Sequence, residues 1–348
     1  MRLIKKSTAV LVLAVVLLVM MISGCDPVVS GESVTGGVSA KTPAPAQVSA
    51  EPAPIQTAAT VTPNAPARSQ TPDTPDVPET QPESEDAWTL LVYLCGTDLE
   101  ENYGMASGNL AEMLAVPAAD NVNIVIQTGG TKEWKTDGID ATKLQRFELA
   151  GGEMRLVDEQ PLTSMGSPLT LYNFLSWGVD NYPAEKTGFV FWNHGGGSIG
   201  GAEVDQYFRP DVLTLAEMRE AFAAAGTEEE FEFIGFDACL MATLETALIL
   251  EPYAKYLVAS EETEAGAGWD YVPIVNALND TPDITGDALG TMICDSFYAK
   301  CAQNGTENMA TLSVTDLSKV EGVADAWEEV AAELAANAAD IGSLGDIA

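Results

Sequence analysis

Two side chains in this sequence have the types and positions needed for nucleophilic attack on a carbonyl group. His194, the only histidine, comes two residues after the apolar run 188–192, and Cys239 comes three residues after the run 232–236. A thiolate can attack an acyl carbon while an imidazole donates a proton to the leaving group. The pair therefore predicts covalent acyl transfer, although each residue by itself would as readily be structural.

The neighbours of both residues favour the reactive interpretation. Three glycines, residues 195–197, follow the histidine, and glycine lets a substrate backbone approach closely. The backbone N–H groups of Gly195 and Cys239 could then stabilise an oxyanion. Residues 240–250 predict a helix directly after the cysteine, and a helix N-terminus favours the thiolate over the thiol.

The hydrophobic pattern supplies a scaffold that could bring these loops together. Buried strands are predicted at five short apolar runs: 89–95, 122–127, 188–192, 232–236 and 256–259. A hairpin at 143–158 and a strand near 309–314 add to them. Helices are predicted at 99–114, with Asp98 as its cap, and at 169–179, 213–225, 240–250, 285–303 and 318–337.

This alternation of strands and helices predicts an α/β fold with a largely parallel central sheet and helices on both faces. In such sheets the functional residues follow the carboxyl ends of the strands. His194 and Cys239 both occupy such positions. Because sequential strands are often neighbours, we expect the two loops to face each other.

The first 24 residues predict an export signal that is not part of the fold. A basic start, residues 2–6, precedes the apolar run 9–21, which is short for a membrane span. The tetrapeptide Ile22-Ser23-Gly24-Cys25 resembles a bacterial lipobox. That resemblance implies that Cys25 is lipidated and begins a mature chain anchored to a membrane outside the cytoplasm, in the cell envelope. The simpler alternative is an ordinary signal peptide with an unmodified cysteine.

Residues 25–87 predict a linker, and residues 88–348 predict one globular domain. The linker is rich in Pro, Ala, Thr and Ser, so it cannot bury enough apolar surface to offset its ordering entropy. Its prolines predict an extended spacer. The domain is long enough for one large core, and we expect it to be a monomer.

The charge and the cysteines exclude two classes of function. With 16 Lys and Arg against 52 Asp and Glu, the net charge of −36 argues against nucleic acid as a partner. Such a surface could attract basic substrates, or it could serve only solubility. The five cysteines include no CxxC pair, and one histidine adds little, so the sequence predicts no metal site.

Four blocks of sequence resemble the clostripain family of cysteine peptidases, which belongs to the caspase-like group with gingipains and legumains. The first block pairs Trp192-Asn193-His194-Gly195 with Asp237-Ala238-Cys239-Leu240-Met241. The other three are 91–100 together with 111–113, then 213–218, and then 259–271. The resemblance covers roughly residues 88–320, with its blocks in the family's order and spacing.

The resemblance implies a caspase-like α/β/α sandwich and an endopeptidase that hydrolyses peptide bonds after Arg or Lys through a thioester. It implies that Cys239 is the nucleophile, that His194 is the general acid, and that Gly195 and Cys239 supply the oxyanion N–H groups. Asp237 matches the acid in the pocket for the P1 side chain, where a carboxylate would pair with a cation. The alternative role for Asp237 is a cap on the following helix.

Ser260 and Glu264 lie in the block that borders this P1 pocket, and we assign them to it. The resemblance also leaves calcium as a candidate cofactor, because some members bind it, although no calcium-loop spacing is visible here.

Family members often cut themselves between the histidine and the cysteine at a basic residue. Here Arg209 precedes Pro210 and Arg219 lies in a predicted helix, so we do not expect self-processing.

Two alternatives to this function remain at this point. One is a non-catalytic, ligand-binding surface lipoprotein on the same fold, since an anchor and a spacer would suit it equally. His194, Cys239 and the glycine run argue against it, because a binding module needs none of them. The other is a caspase-like preference for acidic P1 residues, which would require basic residues in the pocket.

Overall fold

The computed structural model describes residues 86–227 and 231–337. The predicted export signal, residues 1–24, and all but the last two residues of the predicted linker, 25–87, lie outside the described residues. Lipidation of Cys25 lies outside them as well, so these remain predictions. Across the described part of the chain, no helix is both long and apolar enough to cross a bilayer.

The centre of the fold is a mixed sheet that contains eight strands in the described residues. The strands are β1 (Trp88–Cys95), β2 (Val122–Gly129), β3 (Lys143–Ala150), β4 (Glu153–Pro161), β5 (Lys186–Trp192), β6 (Phe231–Asp237), β7 (Ala254–Ser260) and β8 (Leu312–Asp316). Their order across the sheet is β4-β3-β2-β1-β5-β6-β7-β8. The pairs from β2 to β7 are parallel, and the outer pairs are antiparallel. The prediction of a largely parallel sheet is confirmed.

Helices cover both faces of this sheet, as predicted. They are α1 (Thr97–Tyr103), α2 (Met105–Ala115), α3 (Pro168–Asn181), α4 (Gly197–Gly200), α5 (Leu215–Ala225), α6 (Leu244–Leu250), α7 (Tyr271–Asp280), α8 (Gly286–Asn304) and α9 (Val320–Asn337). Apolar side chains of α3, α5 and α6 pack in one core, and those of α2, α7 and α8 pack in the other.

Strand β1 shows why the central strands read as unbroken apolar runs. Every one of its residues is buried. Leu91 and Tyr93 point into one core, whereas Leu90 and Val92 point into the other. A parallel strand with helices on both sides has no solvent-facing residues, so its sequence does not alternate.

Three helix predictions differ from the structure. The predicted helix at 99–114 is divided into α1 and α2 by Gly104, which has a left-handed φ of 64°. Helix α1 begins at Thr97 with Gly96 as its cap, so Asp98 lies inside the first turn and is not the cap. Helices α4 and α7 have no counterpart among the predicted helices. The helix predicted at 240–250 begins only at Leu244.

Candidate active site

The loops that carry His194 and Cys239 are in direct contact. Strands β5 and β6 are parallel neighbours, with Trp192 opposite Asp237, so their carboxyl ends meet at one edge of the sheet. A Cβ atom added to Gly195 would lie 2.0 Å from the carbonyl oxygen of Cys239. Only glycine allows this approach of the two backbones. The prediction that the two loops face each other is therefore confirmed.

Asn193 anchors the histidine loop to its surroundings, and the sequence reasoning missed it. Its side-chain amide donates to the carbonyl oxygen of Cys95 at the end of β1 and accepts from the backbone N–H of Val204 at 2.9 Å. Its own backbone N–H donates to the carbonyl of Asp237 at 3.3 Å. A buried asparagine directly after a strand was the available signal, because a buried amide needs partners.

The imidazole of His194 contacts a carboxylate from another part of the chain. Its Nε2 lies 3.2 Å from Oδ1 of Asp98, and the two side chains are 39% and 36% exposed. Arg209 Nη2 lies 3.1 Å from the same oxygen. Partial burial opposes ionisation of Asp98, but the charge and hydrogen bond of His194, assisted by Arg209, outweigh it and lower the pKa of this carboxyl.

Cys239 lies in a turn before α6, so the prediction that it starts a helix is wrong. Backbone hydrogen bonds tie this turn to the segment at the end of β7: Leu240 N–H donates to Glu262, and Ala242 N–H donates to Ser260. Leu240 has a left-handed φ of 67°, which a helix cannot contain. The helix starts after Thr243, whose hydroxyl caps it.

A backbone donor, rather than the predicted helix N-terminus, lies at the sulfur. The N–H of Glu264 points at Sγ of Cys239 over 3.3 Å. A hydrogen bond to the charged form of an acid favours that form, so this donor stabilises a thiolate. Cys239 is half-buried, and it forms no disulfide with Cys95, Cys294 or Cys301.

Asp237, the last residue of β6, lies buried beneath the cysteine turn. Its carboxylate accepts the backbone N–H of Trp269 and the hydroxyl of Tyr271, the latter at 3.0 Å. Burial raises the pKa of Asp237 to about 6, against the effect of these two donors and of Lys300. The alternative role of Asp237 as a cap is excluded, because α6 begins seven residues later with its own cap.

Glu264 adds a second carboxylate to this buried region. Both of its oxygens are buried, and neither has a hydrogen-bond partner among the described residues. Burial raises the pKa of Glu264 well above its usual range, and the negative charge of Asp237 raises it further. Glu264 is thus a buried acid without a hydrogen-bond donor, and it lies beside a second acid. A cation bound next to the two carboxyl groups would stabilise their charged forms.

Lys300, whose charge lowers the pKa of Asp237, makes its own hydrogen bonds to other groups. Lys300 Nζ lies 2.6 Å from Oε1 of Glu112 and 2.8 Å from the carbonyl oxygen of Trp269. Neither of these hydrogen bonds reaches the carboxylate oxygens of Glu264, which stay unpaired among the described residues. The side chain of Trp269 packs over Gly235, where an added Cβ would lie 2.6 Å from the ring.

The structure gives Ser260 a supporting contact. Its hydroxyl lies 2.7 Å from that of Thr311, and its carbonyl accepts the N–H of Ala242. It thereby holds the cysteine turn, while its part in binding a P1 side chain stays a prediction.

Within residues 86–227 and 231–337, no group of three or more His, Cys, Asp or Glu is arranged for a metal ion. Calcium binding also stays a prediction.

Comparison with known proteins agrees with the resemblance seen in the motifs. The sequence profile of the clostripain family matches residues 92–345. Clostripain of Hathewaya histolytica is 26% identical over 209 residues, which cover 49% of this chain and 39% of that protein. The chain thus spans about two fifths of the length of this curated relative.

Two solved structures share the fold. A secreted C11 cysteine protease of Bacteroides thetaiotaomicron, in complex with an irreversible peptide inhibitor, has a TM-score of 0.55 and 21% identity, and the match covers 69% of each chain. An inactive zymogen C11 protease of Parabacteroides distasonis has a TM-score of 0.51 and 22% identity, covering 70% of this chain and 65% of that one. The predicted caspase-like α/β/α sandwich is confirmed.

Proposed function

Because the chain belongs to the clostripain family, we propose that it is a cysteine endopeptidase that hydrolyses peptide bonds after Arg or Lys. The observation that carries this proposal is the backbone contact between Gly195 and Cys239, beside the buried acids Asp237 and Glu264. It puts a histidine loop, a thiol and two buried acids at one edge of the sheet.

The proposed reaction uses two residues in named roles. The thiolate of Cys239 attacks the carbonyl carbon of the scissile bond, and the C–N bond breaks as His194 donates a proton to the departing amine. Water then attacks the thioester, which releases the carboxylic acid and regenerates the thiol. The N–H groups of Gly195 and Cys239 are placed by this proposal at the oxyanion.

Specificity for basic residues rests on the acids beneath the cysteine turn. Asp237 and Glu264 offer two carboxylates, while Lys300, the cation beside them, is held by Glu112. A guanidinium or ammonium group would neutralise the pair and supply the donors that the Glu264 oxygens lack. An acidic P1 side chain would meet like charges there, which argues against the caspase-like preference.

We place the enzyme outside the cytoplasm, anchored by a lipid on Cys25 and acting as a monomer. The support is the sequence of residues 1–25, together with the description of the Bacteroides relative as secreted. Metabolic labelling with a fatty-acid analogue tests the anchor, because Cys25→Ala should abolish label incorporation.

Activity assays with and without a calcium chelator test whether calcium is a cofactor.

The central test is hydrolysis of fluorogenic peptides with Arg, Lys or Asp at P1. We expect cleavage after Arg and Lys, and a loss of at least about 1,000-fold in kcat with Cys239→Ala or His194→Ala, since each removes a reacting group. The matched control is Cys294→Ala, which removes another half-buried thiol. Turnover that survives in Cys239→Ala would overturn the mechanism. Binding of basic peptides without turnover would favour the ligand-binding alternative.

A further inference from the structure

Three adjacent strands end at the edge of the sheet where His194 and Cys239 lie, here termed the catalytic edge, and a polar side chain follows each strand. Two of these side chains, His194 and Cys239, have roles in the proposed reaction. Strand β1 lies beside β5, which lies beside β6. Cys239 follows β6, His194 follows β5, and Asp98 follows β1 within the first turn of α1. The third group is 96 positions from the histidine in sequence, yet the two side chains meet at 3.2 Å.

We infer that Asp98 is a positioning residue that holds the ring of His194 in the orientation needed to protonate the leaving amine. This inference rests on the role proposed above for His194. Because the pKa of Asp98 is lowered, its carboxylate is ionised at neutral pH and acts as an acceptor. Nε2 of the ring then carries the hydrogen, and Nδ1 is the nitrogen that remains for the reacting groups.

Arg209 holds the carboxylate from the other side. Its guanidinium and the imidazole both contact Oδ1 of Asp98, at 3.1 Å and 3.2 Å. The segment that carries Arg209 is itself fastened, because Gln206 N–H donates to the carbonyl of Gly130 and its side chain donates to Glu101. The carboxylate is therefore restrained between two elements and does not move freely in solvent.

A partly exposed ion pair contributes little to stability, so stability alone would not account for this arrangement. A carboxylate on one nitrogen of an imidazole fixes the tautomer and the ring orientation, and it stabilises the ring when it is protonated. These effects act on the histidine and therefore on the proton-transfer step. They leave substrate binding in the acidic pocket unchanged.

The test compares Asp98→Ala, Asp98→Asn and Asp98→Glu in the purified chain. We expect kcat on a P1-Arg amide to fall by about 30-fold in Asp98→Ala, with KM within about threefold, because general acid catalysis contributes about 100-fold or more. Asp98→Glu should recover most of the activity, whereas Asp98→Asn should recover little. The matched control is Asp325→Ala, which removes an exposed carboxylate of α9.

The leaving group supplies a readout that a purely structural role would not give. With a p-nitrophenyl ester, the departing phenolate needs no proton, so the burst rate of acylation should change by less than about threefold in Asp98→Ala. Equal losses with the amide and the ester would overturn the inference. So would an amide kcat that stays the same or rises, since a rise would mean that Asp98 restrains the histidine. If His194→Ala keeps its activity, the proposed catalytic role of His194 is wrong. That failure of the proposed function is distinct from a failure of the inference about Asp98, which is measured with His194 in place.

Discussion

Two pairs of buried carboxylates lie near the catalytic edge of this protein, and their surroundings differ. Asp237 and Glu264 lie next to Cys239. Glu203 and Asp205 lie near Cys95 at the end of β1, where Val204 between them accepts a contact from that thiol. In each pair the glutamate has two buried oxygens with no hydrogen-bond partner among the described residues.

The physical state of the two glutamates is similar, because burial raises the pKa of each well above its usual range and the neighbouring Asp raises it further. The difference lies in the aspartates. Asp205 accepts backbone N–H groups of Met165 and Tyr207, so it organises a loop. Asp237, two residues before Cys239, accepts the backbone N–H of Trp269. A thiol lies beside each pair, but burial raises the pKa of Cys95 well above its usual range, whereas Cys239 is half-buried. Unpaired buried acids thus suggest a substrate pocket only where the adjacent thiol is accessible.

The largest effect should come from the aspartates. Asp237→Asn should lower kcat/KM on P1-Arg and P1-Lys peptides by about 100-fold, because the buried charge that pairs with the substrate cation is lost. Asp205→Asn should change the same constant by less than about threefold per active site, counted by alkylation of Cys239. Comparable losses in both variants would mean that the two pairs share one role.

The second effect concerns stability. Glu203, with a raised pKa, keeps its proton in the folded protein at pH values where the unfolded chain has lost it. Its contribution to the unfolding free energy is therefore present below the ordinary glutamate range and declines as pH rises above it. Glu203→Gln should stabilise the protein by about 2 kcal/mol at pH 8 and by almost nothing at pH 4.

Urea unfolding at the two pH values measures this difference. The matched control is Asp205→Asn, which should destabilise the protein at pH 8, because an amide offers one oxygen where the carboxylate offers two acceptors. A stability gain from Glu203→Gln that is equal at both pH values would contradict the assignment of a buried, protonated glutamate.

The third effect is a pH dependence of cation binding. The pKa of Asp237 is about 6, so this acid is mostly neutral at pH 5 and mostly charged at pH 7.5. Benzamidine, which mimics a guanidinium, should bind about tenfold more weakly at pH 5. Calorimetry on Cys239→Ala measures this without turnover, and neutral benzamide serves as the control. Benzamidine binding that is independent of pH would place its site elsewhere.

The smallest effect should come from Glu264. Its oxygens are buried and its pKa is raised well above the usual range, so it holds its proton in the empty pocket and ionises when a cation binds beside it. Glu264→Gln should lower kcat/KM for P1-Arg by about fivefold, mainly through KM, because one of two carboxylates is lost. Glu262→Gln, an exposed acid of the same loop, should have no effect. A gain in activity would remove Glu264 from the pocket.

The sequence predicted the parts of this protein that depend on local pattern. Apolar runs of four to seven residues predicted the central strands, because parallel strands between two helix layers are buried on both faces. The positions of His194 and Cys239 after two such runs then required both residues to lie at one edge. The glycine after the histidine predicted the close approach of a substrate backbone, whereas the structure brings the backbone of Cys239 against it.

The tertiary structure alone decided where α6 begins and which carboxylate meets the histidine. Residues 240–250 have a helical pattern, but two backbone hydrogen bonds to the end of β7 hold the first residues in a turn. Asp98 is a residue type that often caps helices, and the sequence predicts it as a cap. The order of the strands instead brings it beside His194. Both outcomes depend on contacts between distant segments, and no local periodicity encodes the free energy of such contacts.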